Sequence, residues 1–314
     1  MLQGKSPCAS GAFGSVYQCT IKSGEGTVEV AVKIFSMAPH AGRAKDKIDR
    51  GIRRELKVWV GLRDSTIVPL LGFANVNESS FPALVSEWMS SGTLYEYLEE
   101  RGTISASAKV TLAKGVADGL AYLHSNKVVH GDLHPGNVLI DSSGHPRLTD
   151  FGLATVAGDK ELQWNSTTAG RNFNPRWRAP EVMGVGQSGS TVTRPNFKSD
   201  VYSFGSVMFF IVSGVIPWNG KTSQYIIIQL SKQATPARRD NILVGHWGFI
   251  NRCWSWNPVD RPEAMGVASY LAIESTTIAG ETEMAGSRIK RPMKFASLWF
   301  RNLLSIGRSK PGLA

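Results

Sequence analysis

His130-Gly131-Asp132-Leu133-His134-Pro135-Gly136-Asn137, followed by Asp150-Phe151-Gly152, is the stretch from which the rest of the chain is best read. Short β-prone pieces at 127–130, 137–140 and 147–149 surround it, so its polar side chains sit on loops held by regular elements, where chemistry is usually placed. Asp132 can accept a proton from a hydroxyl. Asn137 and Asp150 are oxygen donors of the kind Mg²⁺ takes alongside phosphate oxygens, so the set has the spacing that phosphoryl transfer needs.

The surrounding chain has room for two lobes and a cleft: 314 residues, 42% hydrophobic and 19% charged, with nine tryptophans. The residues N-terminal to the motif read as strands. Residues 11–19 are glycine-rich and β-branched, 27–35 carry Val28, Val30, Val32 and Ile34, and Ser23-Gly24-Glu25-Gly26 between them is a turn signal. Residues 44–62 place Ile48, Ile52, Leu56, Trp59 and Val60 at helical spacing, and further strands are expected at 67–76 and 83–88. From Thr93 the helical signal dominates, with a long amphipathic helix over 105–125 behind an N-cap serine and a buried helix over the apolar run 207–218. That run is too short to span a bilayer and is broken by Gly214 and Pro217.

Three cysteines, Cys8, Cys19 and Cys253, form neither a disulfide framework nor a zinc-ligand spacing, which suits the reducing cytoplasm or nucleus. Nothing at the N-terminus resembles a signal peptide. The formal charge of +10 is unevenly spread: seven of the 35 basic residues lie beyond Glu283, the last acidic residue, leaving 28 against 25 acidic residues in the rest of the chain. The body is therefore only mildly basic, and no specific nucleic-acid surface is expected. The tail, from about Ile273, mixes Phe295, Leu298, Trp299, Phe300, Leu303 and Leu304 with basic residues. It reads as an extension, or as a segment for an anionic membrane or a partner groove.

Two weaker signals precede the motif. Ser10-Gly11-Ala12-Phe13-Gly14-Ser15-Val16 is a turn that lets backbone N–H groups approach phosphate oxygens, although glycine is also the ordinary hairpin residue. Val30-Ala31-Val32-Lys33 ends an apolar strand on a lysine that Glu55 can pair with and orient toward phosphates. The plainer readings are a lysine snorkelling from a sheet edge and a solvated glutamate beside Arg53 and Arg54.

Taken in order, the glycine loop, Lys33, Glu55, the 130–137 loop, Asp150-Phe151-Gly152 and Ala179-Pro180-Glu181 resemble the signatures of the eukaryotic protein kinases. The resemblance runs on through Asp200-Val201-Tyr202-Ser203-Phe204-Gly205, Cys253-Trp254 and Asp260-Arg261-Pro262. Its wording at "HGDLHPGN" and "RWRAPE" is similar to fungal members of the tyrosine kinase-like group. It implies an α+β, two-lobed fold with a β-rich N-lobe over 1–87, a hinge over 88–92, a helical C-lobe over 93–272 and a basic tail over 273–314. It also implies ATP and Mg²⁺ as cofactors and a protein hydroxyl as acceptor. In that reading Asp132 is the catalytic base, Asn137 and Asp150 hold Mg²⁺, and Lys33 paired with Glu55 fixes the α- and β-phosphates. Cys8, Ala9, Ser10, Gly11, Ala12, Phe13 and Gly14 form the loop over the nucleotide. Val16, Ala31 and Leu139 sandwich the adenine, Glu87 to Met89 meet its edge, and Ser86 guards the back pocket. Glu181 and Arg261 form a buried structural pair, while His130, Phe151 and Asp200 hold the geometry.

Three positions depart from the family pattern. Ala9 replaces the first glycine of the loop. Gly131 replaces the arginine that pairs with an activation-loop phosphate, so activity is expected to need no phosphate at that site. His134 stands where serine/threonine kinases carry a lysine near the transferred phosphate, and a neutral imidazole there implies slower turnover. Asn174 and Arg176-Trp177 leave serine/threonine against tyrosine specificity open, and Ser166, Thr167 and Thr168 are candidate phosphosites. These departures motivate a pseudokinase scaffold as the alternative to an active enzyme. The joint retention of Lys33, Glu55, Asp132, Asn137 and Asp150 argues against it. A small-molecule phosphotransferase is disfavoured by Ala179-Pro180-Glu181 and the long segment before it.

Overall fold

A computed structural model describes residues 6–11, 14–24, 26–35, 55–76, 82–151, 155–156, 174–185 and 193–286. Ala12, Phe13, Gly152, the candidate phosphosites 166–168, the first half of the helix expected over 44–62 and the basic residues of the tail lie outside them. Two compact units are present, residues 1–275 and 276–314, and the architecture that follows is that of the first.

Its N-terminal part is a five-stranded antiparallel sheet in the order β1-β2-β3-β5-β4, with β1 Ala9–Gly11, β2 Gly14–Ser23, β3 Gly26–Ile34, β4 Leu70–Ala74 and β5 Ala83–Glu87. Alternation along β3 turns Val30 and Val32 inward against Ala83, with Cys19, Ile34, Val76 and Val85 packed around them. The tight β2–β3 turn pairs Ser23 with Gly26, as the turn signal requires. Helix α1 is described over 55–60. Val58 and Trp59 on it are buried, and the Trp59 indole donates to the Val68 carbonyl at 2.6 Å.

The C-terminal part is mainly helical. It comprises α2 Leu94–Arg101, α3 Ala106–Ser125, α4 Pro180–Met183, α5 Phe197–Ser213, α6 Ser223–Ser231, α7 Val244–Cys253 and residues 264–275 of α8 Ala264–Gly286. Thr93 opens α2 with a reciprocal capping box to Glu96, and the Ser105 hydroxyl caps α3, each cap contributing about 1 kcal/mol. Helix α5 is buried along every residue from Ser199 to Ser213, as expected of a segment apolar on most faces. It starts ten residues before the apolar run, because the Asn196 capping box to Ser199 sets its N-terminus, and it stops at Gly214 in the left-handed conformation with φ 74°. Four short strand pieces carry the loops of interest: β6 Val128–Val129 pairs with β9 Thr155–Val156, and β7 Val138–Ile140 pairs with β8 Pro146–Leu148. Sheet plus helical bundle make this the α+β, two-lobed architecture.

Candidate active site

The strand β3 brings Lys33 to the cleft. Its Nζ lies 2.8 Å from Glu55 Oε1 on α1 and 3.3 Å from Asp150 Oδ1. Burial works against the lysine's charge, but the Asp150 and Glu55 carboxylates outweigh it and hold the Lys33 pKa above its ordinary value. Burial pushes the Glu55 carboxyl up even though Lys33 pulls it down. Asp150 adopts a left-handed φ of 62°, a conformation aspartate tolerates better than most residues. The next residue, Phe151, is fully buried between Trp59, at 5.9 Å, and His130, at 5.7 Å. These ring contacts fix where the Asp150 carboxylate points.

The 130–137 loop is tied down from α5. Asp200 accepts the His130 amide at 2.8 Å on Oδ2 and the Gly131 amide at 2.9 Å on Oδ1, while His124 Nε2 lies 2.9 Å from Oδ2. Gly131 takes φ 79°. The Asp132 amide donates to His130 Nδ1 at 3.3 Å, and Asn137 Nδ2 donates to the Asp132 carbonyl at 3.0 Å. With its nitrogen so engaged, the Asn137 amide keeps its oxygen as the donor atom for a cation. Among the described residues no group of three or more His, Cys, Asp or Glu side chains is arranged to hold a metal. One amide oxygen and the Asp150 carboxylate still fit a hard divalent cation that takes its other ligands from phosphate and water.

His134 caps the short 3₁₀ turn Pro135–Asn137: its Nδ1 accepts the Gly136 amide at 3.1 Å, which puts the ring proton on Nε2. Burial lowers its pKa below the ordinary histidine value, and His130 and Arg178 lower it further against the pull of Asp132 and Asp150. It is therefore a neutral donor at physiological pH. The cation beside Asp132 is instead Arg178, immediately before Ala179-Pro180-Glu181, whose Nη2 lies 2.8 Å from Asp132 Oδ1. Sequence reading passed over Arg178, because nothing local shows that it reaches back 46 residues. Its neighbour Arg176 points elsewhere, donating to the Pro217, Trp218 and Lys221 carbonyls. Asn174 is spent on an Asx turn, accepting the Arg176 amide at 3.1 Å.

Across the sheet Val16 pairs with Lys33 and Ala31 with Ser86, while Leu139 bridges to Thr93. Ser86 and Met89 are buried. The Glu87 amide donates to the Pro69 carbonyl at 3.1 Å, so Glu87 can meet a base edge only through its carbonyl. Cys8, Ala9, Ser10 and Gly11 lead into β2: the Cys8 amide donates to the Val16 carbonyl at 2.8 Å, and the Ser10 and Ser15 hydroxyls lie 3.0 Å apart. Glu181 and Arg261 form a bidentate pair at 2.6 and 2.9 Å, with the arginine side chain fully buried.

The family of protein tyrosine and serine/threonine kinases matches residues 2–271. The chain belongs to the protein kinase family. Similar kinases include mitogen-activated protein kinase kinase kinase 5 of Arabidopsis thaliana, 28% identical over 85% of this chain and 36% of that protein. Serine/threonine-protein kinase PkaA of Streptomyces coelicolor is 30% identical over 86% of this chain and 49% of that protein. Serine/threonine/tyrosine-protein kinase HT1 of Arabidopsis thaliana is 28% identical over 84% and 64% respectively. The chain thus spans from about a third to under two thirds of the length of these relatives. Tyrosine kinase-like members among them agree with the group that the 130–137 and 176–181 wording resembles.

Proposed function

We propose that this kinase is an active enzyme transferring the γ-phosphoryl of ATP to serine and threonine hydroxyls of protein substrates in intracellular signalling. The observation that carries it is the joint placement of Lys33 on both Glu55 and Asp150, at 2.8 and 3.3 Å, with Asp132 and Asn137 locked on one loop. Lys33 orients the α- and β-phosphates. Asp132 takes the acceptor hydroxyl's proton as that oxygen bonds to the γ-phosphorus and the bond to the β-phosphate oxygen breaks, releasing ADP. Asn137 and Asp150 are the residues that would hold Mg²⁺, which would supply neutralisation of charge on the phosphate oxygens. Val16, Ala31 and Leu139 enclose the adenine, Ser86 lies behind it, and the Glu87 carbonyl and Met89 backbone meet its edge.

The serine/threonine preference is supported by relatives whose names carry it. A kinase domain over 1–272, with its hinge at 88–92 and a basic segment beyond it for an acidic partner or membrane surface, completes the reading. Free cysteines, Cys8 exposed and Cys253 buried, suit a reducing compartment such as the cytoplasm. Among the described residues no helix is long and apolar enough to cross a membrane.

The test is phosphate incorporation from Mg-ATP into a peptide library containing Ser, Thr and Tyr, read residue by residue, beside Asp132→Asn. Transfer is expected to Ser and Thr, at least about 100-fold faster than in the variant, and abolished by EDTA until Mg²⁺ is restored. If wild type matches the variant while nucleotide still raises the melting temperature, the chain is a nucleotide-binding scaffold.

A further inference from the structure

We infer that Arg178 is a catalytic residue, supplying beside Asp132 the fixed positive charge that stabilises the phosphoryl group in transit. The inference rests on the transfer reading above and goes beyond it by assigning the charge to a residue outside the 130–137 loop.

A phosphoryl group in transfer spreads negative charge over its three equatorial oxygens, and a preorganised cation there is the largest single lever a protein has. Lys33 lies at the other end of the nucleotide's phosphates, paired with Glu55 and Asp150. His134 is close enough to feel Asp132, Asp150 and Arg178, but burial keeps it neutral. Arg178 is nine-tenths buried and in contact with Asp132 Oδ1 at 2.8 Å. The acceptor oxygen sits within about 3 Å of the same carboxylate when it gives up its proton, and roughly 3 to 3.5 Å from the phosphorus it attacks. A guanidinium bonded to one carboxylate oxygen therefore places its positive charge close to the moving phosphoryl oxygens.

The pair also divides the carboxylate's work. Arg178 engages Oδ1 and fixes the side chain's rotation, which assigns the acceptor hydroxyl to Oδ2. Arg176 does no such work, since the carbonyls of 217, 218 and 221 hold its guanidinium. A purely structural salt bridge would predict instead that Arg178 matters to folding and leaves the chemistry alone.

Two measurements on the full chain separate the outcomes. With Mg-ATP and the peptide library, Arg178→Ala is expected to lower kcat about 100-fold with the KM for ATP within about twofold, and Arg178→Lys to recover part of the loss. Arg178→Ala with kcat within threefold of wild type, or above it, overturns the assignment. Independently of turnover, melting shifts are measured with Mg-ADP alone and with Mg-ADP plus aluminium fluoride, a planar mimic of the phosphoryl in flight, in the presence of the peptide library. Wild type should gain a further shift from the fluoride, and Arg178→Ala should keep the Mg-ADP shift and lose the added one. If wild type transfers no phosphate yet shows the Arg178-dependent fluoride shift, the enzyme reading falls and with it the catalytic role, leaving Arg178 only as a ligand for the planar mimic; if wild type transfers phosphate and the fluoride shift does not depend on Arg178, the transfer reading stands and the assignment alone falls. An equal fluoride shift in both proteins, or none in wild type, overturns it.

Discussion

Gly131, at φ 79° with its amide on Asp200 Oδ1 at 2.9 Å, occupies a backbone position that L-residues enter at a cost. The absence of an arginine there bears on switching, since no side chain remains at 131 to receive a loop phosphate. It also removes strain from the loop that carries Asp132. Gly131→Ala is expected to cost about 1 kcal/mol, seen as a lower urea midpoint with an unchanged slope. An unchanged midpoint would show that the loop relaxes at no cost and that Asp200 does not hold it. Single residues were unevenly legible in sequence. Asp132, Asn137 and Asp150 stand in a local motif, but Arg178 on Asp132 and His124 on Asp200 meet across 46 and 76 residues, and side-chain type alone says nothing of such reach.

Among the elements, the β2–β3 ribbon contains a glycine that the sheet itself requires. Gly14 lies where β2 runs against the end of β3, next to the Ser15–Ile34 pair, and a Cβ added to it would stand 2.0 Å from the Ile34 carbonyl oxygen. Backbone cannot yield as a flexible side chain does, so the contact must open the hairpin. Gly14→Ala is expected to destabilise the nucleotide-free protein by about 1 to 3 kcal/mol, read from thermal or urea unfolding without ligand. Were the glycine needed only for phosphate approach, the loss would show in ATP affinity and leave the free protein's unfolding unmoved. The hairpin itself was readable from alternation in 27–35 and the turn at 23–26. The start of α5 was not, because three of its first four residues, Lys198, Ser199 and Asp200, are polar and the Asn196 cap sets its start instead of hydrophobic period.

For the molecule as a whole, the pair of Arg261 and Glu181 ties the segment before α8 to α4, and so to the stretch that carries Arg178. The Arg261 side chain is fully buried, bonded to both Glu181 oxygens, and also donates to the Ser255 and Lys198 carbonyls at 2.9 and 3.0 Å. Such a pair is poor evidence for net stability, since desolvating two ions offsets most of their attraction. Removing one partner is another matter. Glu181→Ala leaves a guanidinium buried without its counter-charge and is expected to cost about 3 to 5 kcal/mol in urea unfolding. Replacing both, with Glu181→Leu and Arg261→Met, removes the charge along with its partner. The double variant should therefore be more stable than Glu181→Ala, held short of wild type by the Ser255, Lys198 and Trp256 carbonyls that Arg261 no longer satisfies. If the double variant is the less stable of the two, the arginine's bonds to the carbonyls, and not the ion pair, hold the segments together. Because Arg178 lies three residues before Glu181, the same variants should displace it. Loss of kcat in Glu181→Ala beyond that of the double variant, at a temperature where both are folded, would tie the buried charge to the catalytic one.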